Sequence, residues 1–473
     1  MPTPLDLDRL RRELLLYLSG QPTSGKDAAR ALGISQPAFS RLTRQVASDL
    51  LVIGRARSVR YAAYRDIPAV GRRLPLYEID EAGGARQLAY LHATRPNGFF
   101  VEALVNDIQS QSFDDLPYFL HDLRPSGFLG RLLPARHPEL GAPPDIQHWT
   151  GNDCLRYLTR HGWNSSGNLV LGDQAFRLYL AQRTQPPAVV SSKGKGRTYA
   201  AFADDVLRAG PAGSSAGGEQ PKFIAWRDPG QVEVMVKFSP PTVNPLGRRL
   251  ADLLIAEHVA HQILRAHGRQ AARSEIVEGQ DRLFLEIERF DRTAAGGRRG
   301  LLSLLALDAE FVGRLNSWTD SATHLAAEAR LSPLVRDEIA WIEVFGRLIA
   351  NSDMHPANLS FVTRGTRVLG LAPIYDMLPM AYAPRQAQIP RVDFVAPIPD
   401  PTWAAHWKSA HEAALAFWAA VQTHSLISVD FRRIAKANLA VLERAKGVGA
   451  LLPSPVATAR SPATTARPRR KGA

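Results

Sequence analysis

The chain has only one cysteine, Cys154, among 473 residues. A single cysteine excludes an intrachain disulfide bond and any zinc site built from several thiolates, and it fits a reducing compartment. The sequence also lacks an uncharged apolar run long enough to span a bilayer, and its N-terminus lacks the basic and then apolar order of a signal peptide. These absences predict a cytoplasmic protein with no membrane partner.

Acidic residues are fewer than basic ones, 45 against 58, and the basic excess is concentrated at the two ends of the chain. Residues 1–65 carry eleven Lys and Arg against five Asp and Glu, and residues 451–473 carry five Lys and Arg and no acid. The part between them is therefore close to neutral, which is typical of an enzyme with basic ends. The Ser, Pro, Ala, Thr and Arg composition of residues 451–473 predicts a disordered basic tail.

Residues 1–66 have the pattern of a winged helix-turn-helix domain. Apolar residues at helical spacing predict a first helix over residues 5–18, and Ser24 and Ser35 are N-cap residues for the two helices that follow. Residues 51–64 predict a hairpin with a basic tip, the wing. The alternative is a domain that contacts other proteins. The candidate contacts to duplex DNA are the exposed side chains of the recognition helix and the wing, namely Gln36, Ser40, Arg41, Arg44, Arg55 and Arg57.

Residues 351–361 place one acidic residue, Asp353, five positions before an amide, Asn358. A second acidic residue, Asp376, follows two short predicted strands. In a kinase the first Asp orients the substrate hydroxyl, whereas the Asn and the second Asp bind Mg²⁺. Polar loops contain the same spacing by chance, with Asp and Asn as turn residues. An apolar helix predicted over residues 341–350 delivers this loop and favours the kinase interpretation.

The sequence before residue 300 has the features of a lobe that binds ATP. The Gly/Ser loop over residues 213–222 has backbone amides to cradle phosphates, and the absence of a following Gly-Lys-Ser/Thr excludes a Walker A motif. Lys237 lies on an alternating strand, where a kinase presents its phosphate-binding lysine. Glu257 on the next helix is one candidate ion-pair partner of Lys237, and Asp252 is the competing one. Residues 182–195 predict a mobile linker or loop because they are rich in Pro, Ser, Gly and Lys.

Four segments in this order resemble the HipA family of serine/threonine kinases, toxins of bacterial toxin–antitoxin systems; they are residues 214–222, 288–292, 351–360 and 372–376. The added winged helix resembles the YjjJ-type subgroup, in which the DNA-binding part is fused to the kinase. The resemblance implies an α+β, two-lobed protein-kinase-like fold behind a winged helix-turn-helix domain. The implied division is 1–66 for that domain, 70–300 for an N-terminal lobe with a small β-rich unit and the ATP-binding loop, 301–450 for a mainly helical C-terminal lobe, and 451–473 for the tail.

The resemblance also implies a role for each site residue. Asp353 would be the catalytic base, Asn358 and Asp376 would hold Mg²⁺, and the residues that bind ATP would be Lys237, Glu288, Phe290, Ser214, Ser215, Gly217 and Gly218. Ser214 or Ser215 would be autophosphorylated, after which the loop leaves the site and the kinase is inactive.

The resemblance implies a protein substrate, of the kind of an aminoacyl-tRNA synthetase or another translation factor. Met354 departs from the family, many members of which have a basic or polar residue there. The fused winged helix makes a separate antitoxin optional, and the sequence leaves a homodimer open. Two other functions remain as alternatives: a small-molecule phosphotransferase of the aminoglycoside- or choline-kinase type, and a DNA-binding regulator with a silent kinase body.

Overall fold

The computed structural model describes residues 4–185, 188–209, 220–399 and 401–447. The Gly/Ser-loop candidates and the predicted tail over residues 451–473 lie outside these described ranges; the candidates are Ser214, Ser215, Gly217 and Gly218. The fold is α+β, as the sequence predicts, with four antiparallel sheets in the described ranges. Within the same ranges no helix is both long and apolar enough to cross a membrane.

The N-terminal part is a winged helix. Its elements are α1 (Pro4–Tyr17), β1 (Thr23–Ser24), α2 (Gly25–Ala31), α3 (Gln36–Gln45), β2 (Leu50–Ile53) and β3 (Arg60–Ala63). The three strands form an antiparallel sheet in the order β1-β3-β2. The side chains of Ser24 and Ser35 cap α2 and α3 by accepting backbone N–H groups, as their positions predict. Leu14, Phe39 and Leu42 are buried in its small core.

The next unit is built on a five-stranded antiparallel sheet in the order β7-β6-β5-β4-β8. Its elements are β4 (Arg73–Ile79), β5 (Ala85–Ala93), β6 (Phe99–Ala103), β7 (Gln111–Phe113), α4 (Gly127–Arg131), α5 (Leu133–Arg136), α6 (Gly151–His161), β8 (Leu169–Leu171) and α7 (Asp173–Thr184). A capping box between Thr150 and Asp153 begins α6.

A four-stranded antiparallel sheet in the order β11-β12-β10-β9 follows. Its elements are α8 (Lys195–Ala209), β9 (Lys222–Arg227), β10 (Val232–Phe238), α9 (Pro245–Ala266), β11 (Ser274–Glu278) and β12 (Leu283–Glu288). Side chains alternate along β10: Val234, Val236 and Phe238 are buried in a cluster that contains Tyr199 of α8. Lys237 points to the other face of the sheet, where its partner Glu257 lies on α9.

The last part is mainly helical and carries a three-stranded antiparallel sheet, β13-β14-β15. Its elements are β13 (Gly300–Ser303), α10 (Leu304–Phe311), α11 (Trp318–Ala327), α12 (Pro333–Leu348), β14 (Ser360–Arg364), β15 (Arg367–Leu371), α13 (Ala404–Thr423) and α14 (Val429–Arg444). Trp341 and Phe345 of α12 pack in the same core as Phe417 and Trp418 of α13. The buried α12 therefore fixes the start of the loop that carries Asp353.

Of the linker or loop predicted over residues 182–195, residues 188–194 form a loop, whereas the two ends belong to helices α7 and α8. Helix α7 extends to Thr184, and the backbone N–H of Val190 donates to the carbonyl of Trp226 at 2.7 Å. The Lys195 Nζ lies 2.9 Å from carboxylate oxygens of both Glu275 and Glu286. Val190 and Lys195 therefore contact the sheet that carries Lys237.

Candidate active site

Lys237 lies between two carboxylates that come from different parts of the chain. Its Nζ is 2.7 and 2.8 Å from the two oxygens of Glu257 and 2.6 Å from Oδ1 of Asp376. Glu257 is fully buried, and Lys237 is 5% exposed. Asp252, the competing candidate, instead accepts hydrogen bonds from the backbone N–H and the hydroxyl of Ser428. The structure therefore selects Glu257 as the partner of Lys237.

Burial and charge act against each other in this group. Burial disfavours the ammonium form, but the carboxylates of Asp376 and Glu257 outweigh it and raise the pKa of Lys237 above its usual range. Burial raises the pKa of Glu257. Burial alone would also raise the pKa of Asp376, yet the positive charge of Lys237 lowers it. Lys237 and Asp376 are therefore a charged pair at neutral pH.

The loop after α12 holds the backbone of Asp353 from both sides. The backbone N–H of Asp353 donates to Oδ1 of Asn351 at 3.0 Å, and its carbonyl accepts from Nδ2 of Asn358 at 3.1 Å. His355 caps the short helical turn that ends at Asn358 by accepting the N–H of Ala357. The carboxylate of Asp353 is exposed. A carboxylate that is fixed through its backbone and open to solvent is suited to accept a proton from a docked hydroxyl group.

Tyr375 connects the two candidate metal ligands. Its hydroxyl donates to the carbonyl of Ala357 at 2.8 Å and lies 2.8 Å from the hydroxyl of Ser360. Ala357 immediately precedes Asn358, and Tyr375 immediately precedes Asp376. These hydrogen bonds therefore fix the backbone before Asp376 against the backbone before Asn358. Burial raises the pKa of Tyr375 above its usual range, so the phenol keeps the proton that it donates.

The donor atoms fit Mg²⁺. Because Nδ2 of Asn358 donates to the Asp353 carbonyl, the acceptor oxygen Oδ1 of the same amide is the atom that would bind a cation. Asp376 adopts a φ of +55°, a conformation uncommon outside glycine but better tolerated by Asp than by most residues. One amide oxygen and one carboxylate make a hard oxygen set of the kind that Mg²⁺ prefers.

Met354 is a packing residue. It is half-buried against the loop and α12, and a Cβ added to Gly346 of α12 would lie only 2.8 Å from its Sδ. The glycine thus permits the close approach of Met354 to the helix. This contact explains why an apolar side chain stands beside Asp353 in this chain.

The hinge segment, residues 288–290, lies at the end of β12. The backbone N–H of Glu288 donates to the carbonyl of Arg273, and its side chain pairs with Arg227. The ring of Phe290 stacks on Tyr375 with 5.8 Å between centroids. Phe290 of the hinge segment therefore contacts the residue that precedes Asp376.

Sequence reasoning missed a cluster of buried charges beside the hinge segment. Arg289 contacts Glu233 and Asp291 at 2.8 Å each, and Arg292 contacts the same two carboxylates at 3.1 and 2.7 Å. Asp291 also accepts the backbone N–H of Gly167. The alternation of Arg and Asp after β12 was the available signal, but Glu233 and Gly167 lie far away in sequence.

The predicted DNA-contacting side chains that the structure describes are all exposed. Gln36, Ser40, Arg41 and Arg44 are exposed on α3, and Arg55 is exposed between β2 and β3. Two of them have local hydrogen bonds, from Gln36 to the carbonyl of Gly25 and from Arg44 to the carbonyl of Ser40. The side chain of Arg57 lies outside the described part.

Two family models match the chain. The model of the YjjJ-like toxin middle domain matches residues 70–180, and that of the HipA-like C-terminal domain matches residues 214–441. Toxin YjjJ of Escherichia coli (strain K12) is 37% identical over 434 residues, which are 89% of this chain and 95% of that protein. The similarity therefore extends over nearly the whole length of both chains.

Two solved structures are also similar. The first is a complex of the Shewanella oneidensis MR-1 HipA and HipB toxin–antitoxin system with its operator DNA. The matched chain has a TM-score of 0.48 and is 16% identical, and the match covers 78% of this chain and 97% of that chain. The second is the Helicobacter pylori proinflammatory kinase CtkA, with a TM-score of 0.36 and 14% identity, over 49% of this chain and 92% of that chain.

Proposed function

Because the chain belongs to the HipA family and, within it, to the YjjJ-like toxins, we propose that it is an ATP- and Mg²⁺-dependent serine/threonine protein kinase. The observation that carries this proposal is the buried position of Lys237 between Glu257 and Asp376. A strand lysine paired with a helix glutamate, next to a metal-binding aspartate, is what phosphoryl transfer from ATP needs for positioning.

In the proposed reaction Asp353 accepts the proton of a serine or threonine hydroxyl. The hydroxyl oxygen bonds to the γ-phosphorus of ATP, the bond from that phosphorus to the β,γ-bridging oxygen breaks, and ADP leaves. Lys237 would neutralise phosphate oxygens, while Asn358 and Asp376 would hold Mg²⁺. The ion, when bound, supplies further neutralisation of phosphate charge. The backbone of Glu288 and Phe290 would contact adenine.

We further propose that the kinase phosphorylates its own Gly/Ser loop, at Ser214 or Ser215, and that the amides of Gly217 and Gly218 bind phosphate. The position of the loop supports this, because the chain leaves it directly into β9, the neighbour of the strand that carries Lys237. The proposed substrate in trans is a protein, of the kind of an aminoacyl-tRNA synthetase or another translation factor.

A transfer assay tests the kinase proposal. Full-length protein is incubated with Mg²⁺ and γ-labelled ATP, and peptides that span residues 212–222 are analysed by mass spectrometry. We expect one phosphoserine there. One of the two variants Ser214→Ala and Ser215→Ala should lose it, and that variant identifies the modified serine. Label on neither this protein nor any protein of a cell lysate would contradict the proposal. Label on small alcohols or amines alone would instead indicate a small-molecule phosphotransferase, and nucleotide binding without any transfer would indicate a silent kinase body.

The winged helix is proposed to bind duplex DNA. The exposed arginines of α3 and of the wing support this, since contacts to phosphates and to the major groove require exposed side chains of this kind. We propose that this DNA binding regulates the expression of the protein itself. Comparison of phosphoproteomes from cells that express the wild type or Asp353→Asn would identify the substrate in trans.

A further inference from the structure

A cavity of about 1000 Å³ adjoins the hinge segment. We call it the arginine cavity. Its walls come from residues 163 and 164 before β8, the end of α7, the turn between β9 and β10, residues 265–273 at and after the end of α9, and residues 288–299. Lys237, Asp353, Asn358 and Asp376 are not part of its lining, so it adjoins the candidate active site only through the hinge segment, of which Glu288 and Phe290 line it.

The arginine cavity is strongly basic. Eight arginines line it against two glutamates, Glu233 and Glu288. Glu233 is already paired with Arg289 and Arg292, and Glu288 is paired with Arg227. Within the described ranges five of the lining arginines have no carboxylate within 4.0 Å, namely Arg183, Arg265, Arg269, Arg273 and Arg298. An excess of positive charge in a concave site concentrates anions.

Among these five residues, Arg298 gives the strongest evidence for a bound anion. It is 3% exposed, its Nη2 donates to the carbonyl of Trp163 at 2.6 Å, and its guanidinium lies over the ring of Tyr179. Its Nη1 is buried and has no hydrogen-bond partner among the described residues. A guanidinium group cannot lose its charge easily, and burial without a counter-charge is unfavourable. An anion in the cavity would supply the counter-charge that Arg298 does not find among the described residues.

Aromatic side chains share the cavity with these cations. Trp163 and Trp226 both line it and are half-buried. An indole face stacks well on a flat heterocycle, and arginine binds phosphate through paired N–H donors. The two features together match a ligand that has a planar base at one end and phosphate groups at the other.

We propose that the arginine cavity is a second ligand site, which binds a nucleotide through phosphate contacts to Arg298 and ring stacking on the indoles. The wall formed by residues 288–290 also belongs to the hinge segment, so a bound nucleotide would touch the segment proposed to contact adenine of ATP. The site stands on its own geometry and does not require that the protein transfers phosphate.

Calorimetry on the full-length protein tests this site. The probes are inorganic pyrophosphate and the diphosphates GDP, CDP and UDP, each titrated at about 50 and 200 mM salt. We expect at least one diphosphate to bind more tightly than pyrophosphate, with affinity that falls as salt rises. Arg298→Met should weaken binding at least about tenfold, as expected for the loss of a charge-assisted contact. Arg330→Met is the matched control, because Arg330 also lies over an aromatic ring, that of Phe311, but outside the cavity.

A second variant tests the same site in case Arg298→Met does not fold. Arg273→Gln changes an exposed arginine of the same cavity and should weaken binding without a change in melting temperature. Equal affinity for pyrophosphate and for every diphosphate would overturn the nucleotide assignment. Binding that persists in Arg298→Met and is lost in Lys237→Met would place the ligand in the candidate active site and overturn the second site. Arg298-dependent binding by a protein that transfers no phosphate would support the second site while contradicting the kinase.

Discussion

The ammonium group of Lys237 contacts both carboxylate oxygens of Glu257, at 2.7 and 2.8 Å, in the interior of the protein. Lys237 lies on β10 and Glu257 on α9, so this pair fixes the helix against the sheet at the point where Asp376 also arrives. The position of α9 thus sets the orientation of Lys237 toward the proposed phosphate site.

Glu257→Gln is expected to lower phosphate transfer at least about tenfold, because Lys237 loses the partner that orients it. The variant leaves Lys237 with Asp376, so the free energy of unfolding should fall by no more than about 3 kcal/mol. Transfer of labelled phosphate and urea unfolding measure the two effects. Asp252→Asn is the matched control on the same helix: it weakens the contacts to Ser428 and should destabilise the protein while transfer stays normal.

Asp353→Asn should lower transfer by about 10²- to 10⁴-fold, the usual contribution of a positioned general base. The side chain is exposed, so the melting temperature should change little. Ser352→Ala, which changes the exposed neighbour on the same loop, should retain transfer. Normal transfer by Asp353→Asn would assign the proton acceptor to another group.

Tyr375→Phe tests the connection between the two candidate metal ligands. It removes the hydrogen bonds to Ala357 and Ser360 but keeps a ring for Phe290 to stack on. We expect a loss of about 1–3 kcal/mol in the free energy of unfolding and a higher Mg²⁺ concentration at half-maximal transfer. A purely structural role would lower stability and leave the Mg²⁺ dependence unchanged.

The local features of the fold were accessible from the sequence. Serine N-caps at positions 24 and 35, and the alternation of apolar residues around Lys237, depend on neighbours within a few positions, and the structure matches them. The order of a helix, the loop of Asp353, a hairpin and then Asp376 was read correctly for the same reason.

Contacts between distant parts of the chain were not accessible in this way. Asp252 and Glu257 are five positions apart, about 140° around a helix, so the face that meets Lys237 depends on how α9 packs. Lys195 belongs to a Ser/Gly/Lys stretch typical of a linker. Its ammonium group nevertheless contacts the carboxylates of Glu275 and Glu286, which lie 80 and 91 positions later in the chain. Its local composition contained no sign of those partners.

His261 gives the stability of the protein a defined pH dependence. Burial, followed by the positive charge of Lys237, lowers the pKa of His261 to about 3, whereas a histidine of the unfolded chain titrates near 6.5. The unfolded state therefore binds a proton below about pH 6.5 that the folded state does not bind, so the free energy of unfolding falls as the pH decreases toward 3. The slope from one such group is at most about 1.4 kcal/mol per pH unit.

Urea unfolding at pH 7, 6 and 5 measures this effect, with His261→Gln as the comparison. Burial also lowers the pKa of His92 and of His258, so the wild type should lose stability more steeply than one group explains. Below pH 6.5 the free energy of unfolding of the variant should fall less steeply with decreasing pH than that of the wild type, by at most about 1.4 kcal/mol per pH unit. Identical slopes for the two proteins would show that His261 binds its proton equally in the folded and unfolded states.

Arg41→Gln should weaken binding of the full-length protein to duplex DNA and reduce the slope of log affinity against log salt by about one, because each phosphate contact releases about one counterion. The probe is a duplex from the region upstream of its own coding sequence, and anisotropy is measured between about 50 and 200 mM salt. Arg30→Gln is the matched control, since Arg30 is exposed on α2 and pairs with Asp27. Asp353→Asn should bind DNA as the wild type does, because it leaves the winged helix unchanged. Equal losses for Arg41→Gln and Arg30→Gln would indicate a general basic surface rather than recognition through α3.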